Sequence, residues 1–215
     1  MKDPNQTYLE ALLPERKEIF RNMELFAKEN RVPIMEPTGI AVMLQIMSIQ
    51  KPRRILEIGT AIGYSAMRMA EALPETRIIT MEMDDTRYEQ AMQNVQASDY
   101  AEQISILKGD ALDLAGEAEK FAPFDAIFID AAKGQYSKFF DLYSPMLADG
   151  GIVYSDNVLY KGLVADDSAA ASKRLAKIAG KIGAFNKWLM EREDFHTVIL
   201  SVGDGLAISR KKSAQ

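Results

Sequence analysis

The sequence predicts an α/β protein: a doubly wound, mostly parallel sheet of seven strands that ends in an antiparallel hairpin and follows a set of helices. Three observations predict it. From Arg53 onward, short apolar runs alternate with helical segments, the pattern of parallel βαβ units. The last two apolar runs are separated only by Gly203 and Asp204, a two-residue hairpin signal. The roughly 50 residues before Arg53 instead carry helical spacing interrupted by prolines.

In chain order, "PERKEIFRNMELFAKEN" sets Ile19, Met23 and Phe26 on one helical face, with charges elsewhere. "VPIMEP" breaks that helix, because proline blocks the helical ladder. "TGIAVMLQIMSIQ" resumes a more apolar helix, which Pro52 ends. "RILEIG", "RIITME", "QISILKG", "DAIFID" and "GGIVYSD" then read as strands, with helices such as "YSAMRMAEAL" and "TRYEQAMQNVQA" between them. A longer helix, "SKRLAKIAGKIGAFNKWLMERE", leads into "HTVILSV" and "GLAISRK". There is no internal repeat, low-complexity tract or linker. The expectation is one domain, 1–215, made of a helical cap (1–52) and a sheet core (53–215).

The composition supports that and excludes several chemistries. A chain of 215 residues that is 47% hydrophobic can bury one substantial core. The N-terminus lacks a signal-peptide apolar region, and no apolar run reaches the ~18 residues of a membrane span. A cytoplasmic location without membrane contact is expected. There are no cysteines, which excludes disulfides and thiolate chemistry. One histidine, His196, cannot build a two-histidine zinc site; a Ser-His-Asp triad would rest on it alone, and it reads as a polar residue entering a strand. Any metal would be held by oxygen, which suits Mg²⁺, Ca²⁺ or Mn²⁺. A net charge of −5 argues against a broad nucleic-acid interface unless basic residues cluster.

Ligands of open α/β sheets bind beyond the carboxyl ends of the strands. After the first strand, "EIGTAIGYS" offers Glu57, Gly59, Thr60, Gly63, Tyr64 and Ser65. Its spacing is G-x-x-x-G, not the G-x-G-x-x-G of a dinucleotide fold, and Glu57 would repel a pyrophosphate. A carboxylate there suits a cationic ligand. The second strand ends at Glu82 and Met83, and Glu82 can accept from ribose hydroxyls. The third ends in Gly109, Asp110 and Ala111; Asp110 either accepts from an adenine amino group or caps the next helix. Together these describe a pocket for a positively charged nucleoside without phosphates, the character of S-adenosylmethionine.

"EIGTAIGYS", "GDA", "FIDAAK", "YSDNV" and "GDGLAIS" resemble the cation-dependent class I O-methyltransferases, the group of the catechol and caffeoyl-CoA enzymes. The resemblance runs from about Val32 to Ser209. Within the group, "VPIMEP", "LEIGTAIGYSA", "FIDAAKGQY" and "DNVLYKGLVA" resemble the bacterial tRNA 5-hydroxyuridine methyltransferases. The resemblance implies a Rossmann-like core, a homodimer, a cofactor contact at Asp130 and a place for Met35 beside the methyl donor; otherwise Met35 reads as a core methionine at a helix terminus.

The fourth and fifth strands bring Asp130, Asp156 and Asn157 to one sheet edge. Two carboxylates and an amide oxygen make a hard half-shell for a cation such as Mg²⁺, and the three match the family's metal ligands; otherwise they are helix caps. Lys133 lies within a turn of Asp130 and resembles the catalytic lysine. A neighbouring divalent cation disfavours its ammonium form, so it can take a proton from a bound hydroxyl; the alternative is a surface lysine pairing Asp130. Such a site selects substrates with two adjacent oxygens. The resemblance implies methylation of 5-hydroxyuridine in a tRNA anticodon loop to 5-methoxyuridine, with small catechol-like or caffeoyl-type acceptors as the alternative. Basic residues for RNA phosphates are Lys173, Arg174, Lys177 and Lys181, then Arg210, Lys211 and Lys212, with Arg53 and Arg54; they otherwise form a solvated face. Tyr160 is a candidate for base stacking. Trp188 continues the apolar stripe of Leu175, Ile178, Ile182, Phe185 and Leu189 and reads as core.

Overall fold

Residues 4–166 and 171–213 are described in a computed structural model. The ends of the expected 1–215 domain, and residues 167–170, lie outside the described residues. Three helices come first: α1 (Pro4–Leu12), α2 (Glu18–Asn30) and α3 (Pro37–Gln50). In α2 the buried residues are Phe20, Met23 and Ala27, an i, i+3, i+7 stripe. That face is rotated from the expected Ile19, Met23 and Phe26, and Phe26 is 37% exposed. The cause is aromatic packing, since Phe20 meets the rings of Tyr64 and Tyr100 at 6.1 and 6.2 Å. Pro37 opens α3, where its missing N–H costs nothing. Lys51, in a left-handed conformation, donates to Met47 O and closes it just before Pro52.

The strands are β1 (Arg54–Ile58), β2 (Arg77–Glu82), β3 (Ile104–Lys108), β4 (Phe124–Ile129), β5 (Leu147–Ser155), β6 (Phe195–Leu200) and β7 (Leu206–Lys211). Helices α4 (Tyr64–Ala72), α5 (Asp85–Gln96), α6 (Ala115–Glu119), α7 (Tyr136–Tyr143) and α8 (Lys173–Glu191) connect them. The sheet order is β3-β2-β1-β4-β5-β7-β6. Strands β1 to β5 pair in parallel, and β7 lies antiparallel between β5 and β6. The winding reverses between β1 and β4, which opens a crevice at their carboxyl ends.

One face of the sheet is covered by α2, α3 and α4 through residues such as Phe20, Met43, Met47 and Met67. The other packs α7 and α8 through Tyr136, Phe140, Ile182, Phe185 and Leu189. Burial on both faces explains the near-continuous apolar strands. Among the described residues, no helix is long and apolar enough to cross a membrane.

The final turn differs from expectation. Pairing stops at Leu200 and Leu206, so the loop has five residues, Ser201 to Gly205, rather than two. Tertiary contacts hold it open. Gly203 (φ 56°) packs against Gly39, and a Cβ on Gly205 (φ 91°) would lie 2.5 Å from Leu159 Cγ.

Candidate active site

The loop after β1 is shaped by backbone geometry. Gly59 has φ 105°, and a Cβ there would stand 2.1 Å from the Asp130 carbonyl oxygen. Only glycine allows that approach. The Gly59 and Thr60 amides donate to Met81 O at 3.1 and 3.0 Å, tying the loop to β2. Ala61, at φ 48°, donates its amide to Glu82 Oε2 at 2.8 Å.

A cavity of about 300 Å³ lies beyond these strand ends. Gly59, Glu82, Met83, Gly109, Asp110, Ala111, Asp130 and Lys133 all line it, so the expected residues of four strand ends meet at one place. Glu82 is held by backbone donors: Oε1 accepts from the amides of Met83 (3.0 Å) and Asp84 (2.9 Å). Asp110 Oδ1 accepts from the Leu112 amide at 2.9 Å, so it makes the local cap as well as lining the cavity.

Other candidates sit behind that lining. Glu57 is fully buried and accepts from Ser65 Oγ and Thr80 Oγ1. Alternation along β1 turns its side chain under the start of α4. Burial pushes its carboxyl up to about 8, against the pull of the two hydroxyls. Thr60 Oγ1 shares a 2.6 Å hydrogen bond with Thr80 Oγ1. Gly63 (φ 85°) starts α4. Tyr64 points away, donating to Glu24 on α2 at 2.6 Å. Met35 is buried, with its Cε against Gly39. Among the lining residues the sequence did not single out are Ala61, Arg87 and Phe139; only the backbone conformation of Ala61 and the packing of α5 and α7 disclose them.

Beside the cavity is an oxygen cluster. The β4–β5 register pairs Ile129 with Ser155, so Asp130 and Asp156 leave the sheet side by side. The Asp156 amide donates to Ile129 O at 3.1 Å. Asn157, at φ 57°, donates from Nδ2 to Asp156 Oδ2 at 2.9 Å. Its Oδ1 accepts from Lys133 Nζ. Burial holds both Asp130 and Asp156 above the usual carboxylate range; Lys133 opposes this, and the charge of Asp130 adds to it at Asp156. Asp204, from the five-residue turn, contributes further negative potential to both. The Gly203-Asp204 pair read as a hairpin turn thus also places a third carboxylate near the cluster. Among the described residues, no three acid or histidine side chains form a ligand group by themselves, so a cation would need the Asn157 oxygen. Two buried, mutually repelling carboxylates and an amide oxygen fit a hard divalent cation.

The surrounding loop is strained and pinned. Tyr160 (φ 46°) and Lys161 (φ 57°) adopt left-handed conformations, which cost free energy for non-glycine residues. Asp204 Oδ1 accepts from the Lys161 amide, and the Leu159 amide donates to Asp204 O at 2.9 Å. The Tyr160 ring lies 5.8 Å from Lys133 Nζ. Tyr136 donates to Asp156 O at 3.0 Å from within the core. Trp188 is half-buried and stacks on Phe185 at 5.8 Å. His196 is exposed on β6, opposite Arg210 and remote from the chemistry.

A doubly wound sheet with a cavity at its switch point, an acid closing β2 and an oxygen cluster closing β4 and β5 defines a cofactor-binding α/β enzyme. The chain belongs to the O-methyltransferase family, whose family model matches residues 10–212. It is similar to a caffeoyl-CoA O-methyltransferase of Populus kitakamiensis, 30% identical over 84% of this chain and 77% of that one. A catechol O-methyltransferase of Niastella koreensis is 35% identical over 59% of each chain. Among solved structures, a candidate caffeoyl-CoA O-methyltransferase from Staphylococcus aureus is 36% identical, with a TM-score of 0.91 over 97% of this chain and 100% of that one.

Proposed function

We propose that this chain methylates a hydroxyl that has a second oxygen beside it, using S-adenosylmethionine and a divalent cation such as Mg²⁺. The observation that carries the reading is the position of Lys133: it lines the cofactor cavity and donates to Asn157 of the oxygen cluster. Asp130, Asp156 and Asn157 would hold the cation, and Glu82 and Asp110 would hold the nucleoside. When bound, the sulfonium would supply the methyl group, its S–CH3 bond breaking to leave a neutral thioether as the acceptor oxygen bonds the carbon, and the cation would acidify the acceptor hydroxyl. Lys133 Nζ receives the hydroxyl proton, within reach of the same oxygens. Tyr160 and the Asp204-pinned loop keep that ammonium in place. The cavity walls orient the reactants and exclude water, so a bimolecular encounter becomes a near-attack geometry.

Small catechol-like or caffeoyl-type acceptors come first, because the similar proteins carry those names. A tRNA anticodon loop carrying 5-hydroxyuridine is the second reading, favoured by the exposed Arg174, Lys177 and Lys181 of α8. Radiolabelled methyl transfer by the purified chain tests both, with catechols and hypomodified tRNA as acceptors. Turnover that stops on chelation and returns with Mg²⁺ is expected. Metal-independent turnover, or none with either acceptor, would remove the proposal.

A further inference from the structure

Lys133 lines two cavities. One is the cofactor cavity. The other, of about 410 Å³, lies between the same loop and α8, walled by Gly134, Tyr136, Lys181, Phe185 and Trp188. Lys181 reaches across the loop: its Nζ lies 3.3 Å from where a Cβ on Gly134 would stand. Behind it, the Phe185 and Trp188 rings stack.

The cleft continues a stripe along α8. Arg174, Lys177, Lys181, Ala184 and Trp188 recur at intervals of three and four residues, so they share one side of the helix. The three cations are exposed. The one acid of α8 is its last residue, Glu191, ten residues beyond Lys181 and too far along the helix to pair with any of the three. None of the three forms an ion pair among the described residues. Arg192, which also lies over Trp188, is by contrast bound to Asp141 and Asp194. From Arg174 to Lys181 the stripe is about 10 Å long, enough to meet more than one anionic group.

We propose that this stripe and cleft are the phosphate-binding subsite of the acceptor, with Lys181 and Lys177 contacting phosphate oxygens and the acceptor's reacting ring delivered to Lys133. The inference rests on the methyl-transfer reading above. Phosphates could belong to a coenzyme A thioester or to a nucleotide chain, and the shared chemistry is the phosphate group.

Trp188 is the only tryptophan in the chain, so its fluorescence reports on this cleft without any turnover. The full chain is titrated with inorganic pyrophosphate, coenzyme A and uridine 5′-monophosphate. A saturable change in emission is expected with at least one probe. Lys181→Ala should weaken it about tenfold, as for loss of one charge-assisted hydrogen bond; Lys177→Ala/Lys181→Ala should weaken it further, and Lys181→Arg should restore it. A response to coenzyme A alone assigns the thioester source, and one to the nucleotide alone assigns the nucleotide source. No saturable change with any probe, or superimposable curves for wild type and Lys181→Ala, overturns the assignment. Wild-type methylation of an uncharged catechol and of hypomodified tRNA is measured separately; absence of turnover with both would defeat the reaction reading and leave the fluorescence result intact.

Discussion

Glu57→Gln should flatten the dependence of folding stability on pH. The Glu57 carboxyl is fully buried beneath Ser65 and Thr80, and burial raises it from 4.5 to about 8. The folded chain therefore holds this proton more tightly than the unfolded chain does. Stability from this group is complete below pH 4.5 and is lost as pH rises through about 8. Between those limits one extra proton on the folded state gives a slope of about 1.4 kcal/mol per pH unit. Over the interval from pH 4.5 to about 8 the loss sums to something on the order of 5 kcal/mol. Glutamine keeps an acceptor for one hydroxyl, offers an amide to the other and cannot ionise. Urea denaturation of both proteins at several pH values, with a chelator present, measures the difference. Asp130 and Asp156 titrate in both chains, so subtraction leaves Glu57 together with its coupling to the charges of Asp130 and Glu82. Parallel stability curves for the two proteins would refute the burial argument.

Four further outcomes are expected. Lys133→Met should lower kcat by about 100-fold or more, the usual scale for a lost general base, with an unchanged melting temperature; near-normal turnover would remove Lys133 from the chemistry. Gly59→Ala should cost about 2–4 kcal/mol of stability, from left-handed strain plus the clash with Asp130 O, and a thermal melt within a degree of wild type would show that the loop relaxes freely. Asp204→Ala should free the loop at Lys161 and lower kcat more than Asp204→Asn, which keeps an acceptor for that amide; equal effects would mean that charge, not the hydrogen bond, matters. The apolar side chains Tyr8, Leu9 and Leu12 of α1, each more than half exposed, are proposed to be covered by a second copy. Light scattering should then give twice the 24.0 kDa chain mass, and a monomer at micromolar concentration would exclude it.

How far the sequence could be read depended on whether a feature is local. Strand and helix identity is local, because apolar spacing reports which faces are buried, and β1 through β5 appear where their runs predicted. The loop after β1 was readable for the same reason: Gly59 and Gly63 mark backbone conformations that other residues resist. Side-chain direction at its edge was not. Glu57, Tyr64 and Ser65 stand in the motif, yet Glu57 and Ser65 bond each other and Tyr64 bonds Glu24. Which way they turn depends on α2 and α4, which are distant in sequence. The rotated face of α2 and the five-residue turn at Ser201–Gly205 failed for the same cause, through Phe20 against Tyr64 and Gly203 against Gly39.

The order of residue types along the chain by itself determined an alternating α/β sheet, its strand ends, and the presence of Asp130, Lys133, Asp156 and Asn157 at two of those ends. Only the tertiary structure decided that β4 and β5 lie in a register that sets the two aspartates abreast, that Asp204 joins them from the far end of the chain, and that Lys133 stands between two cavities. Periodicity encodes what each segment buries. Register and the meeting of loops arise from contacts between segments, and no single stretch of sequence contains both partners.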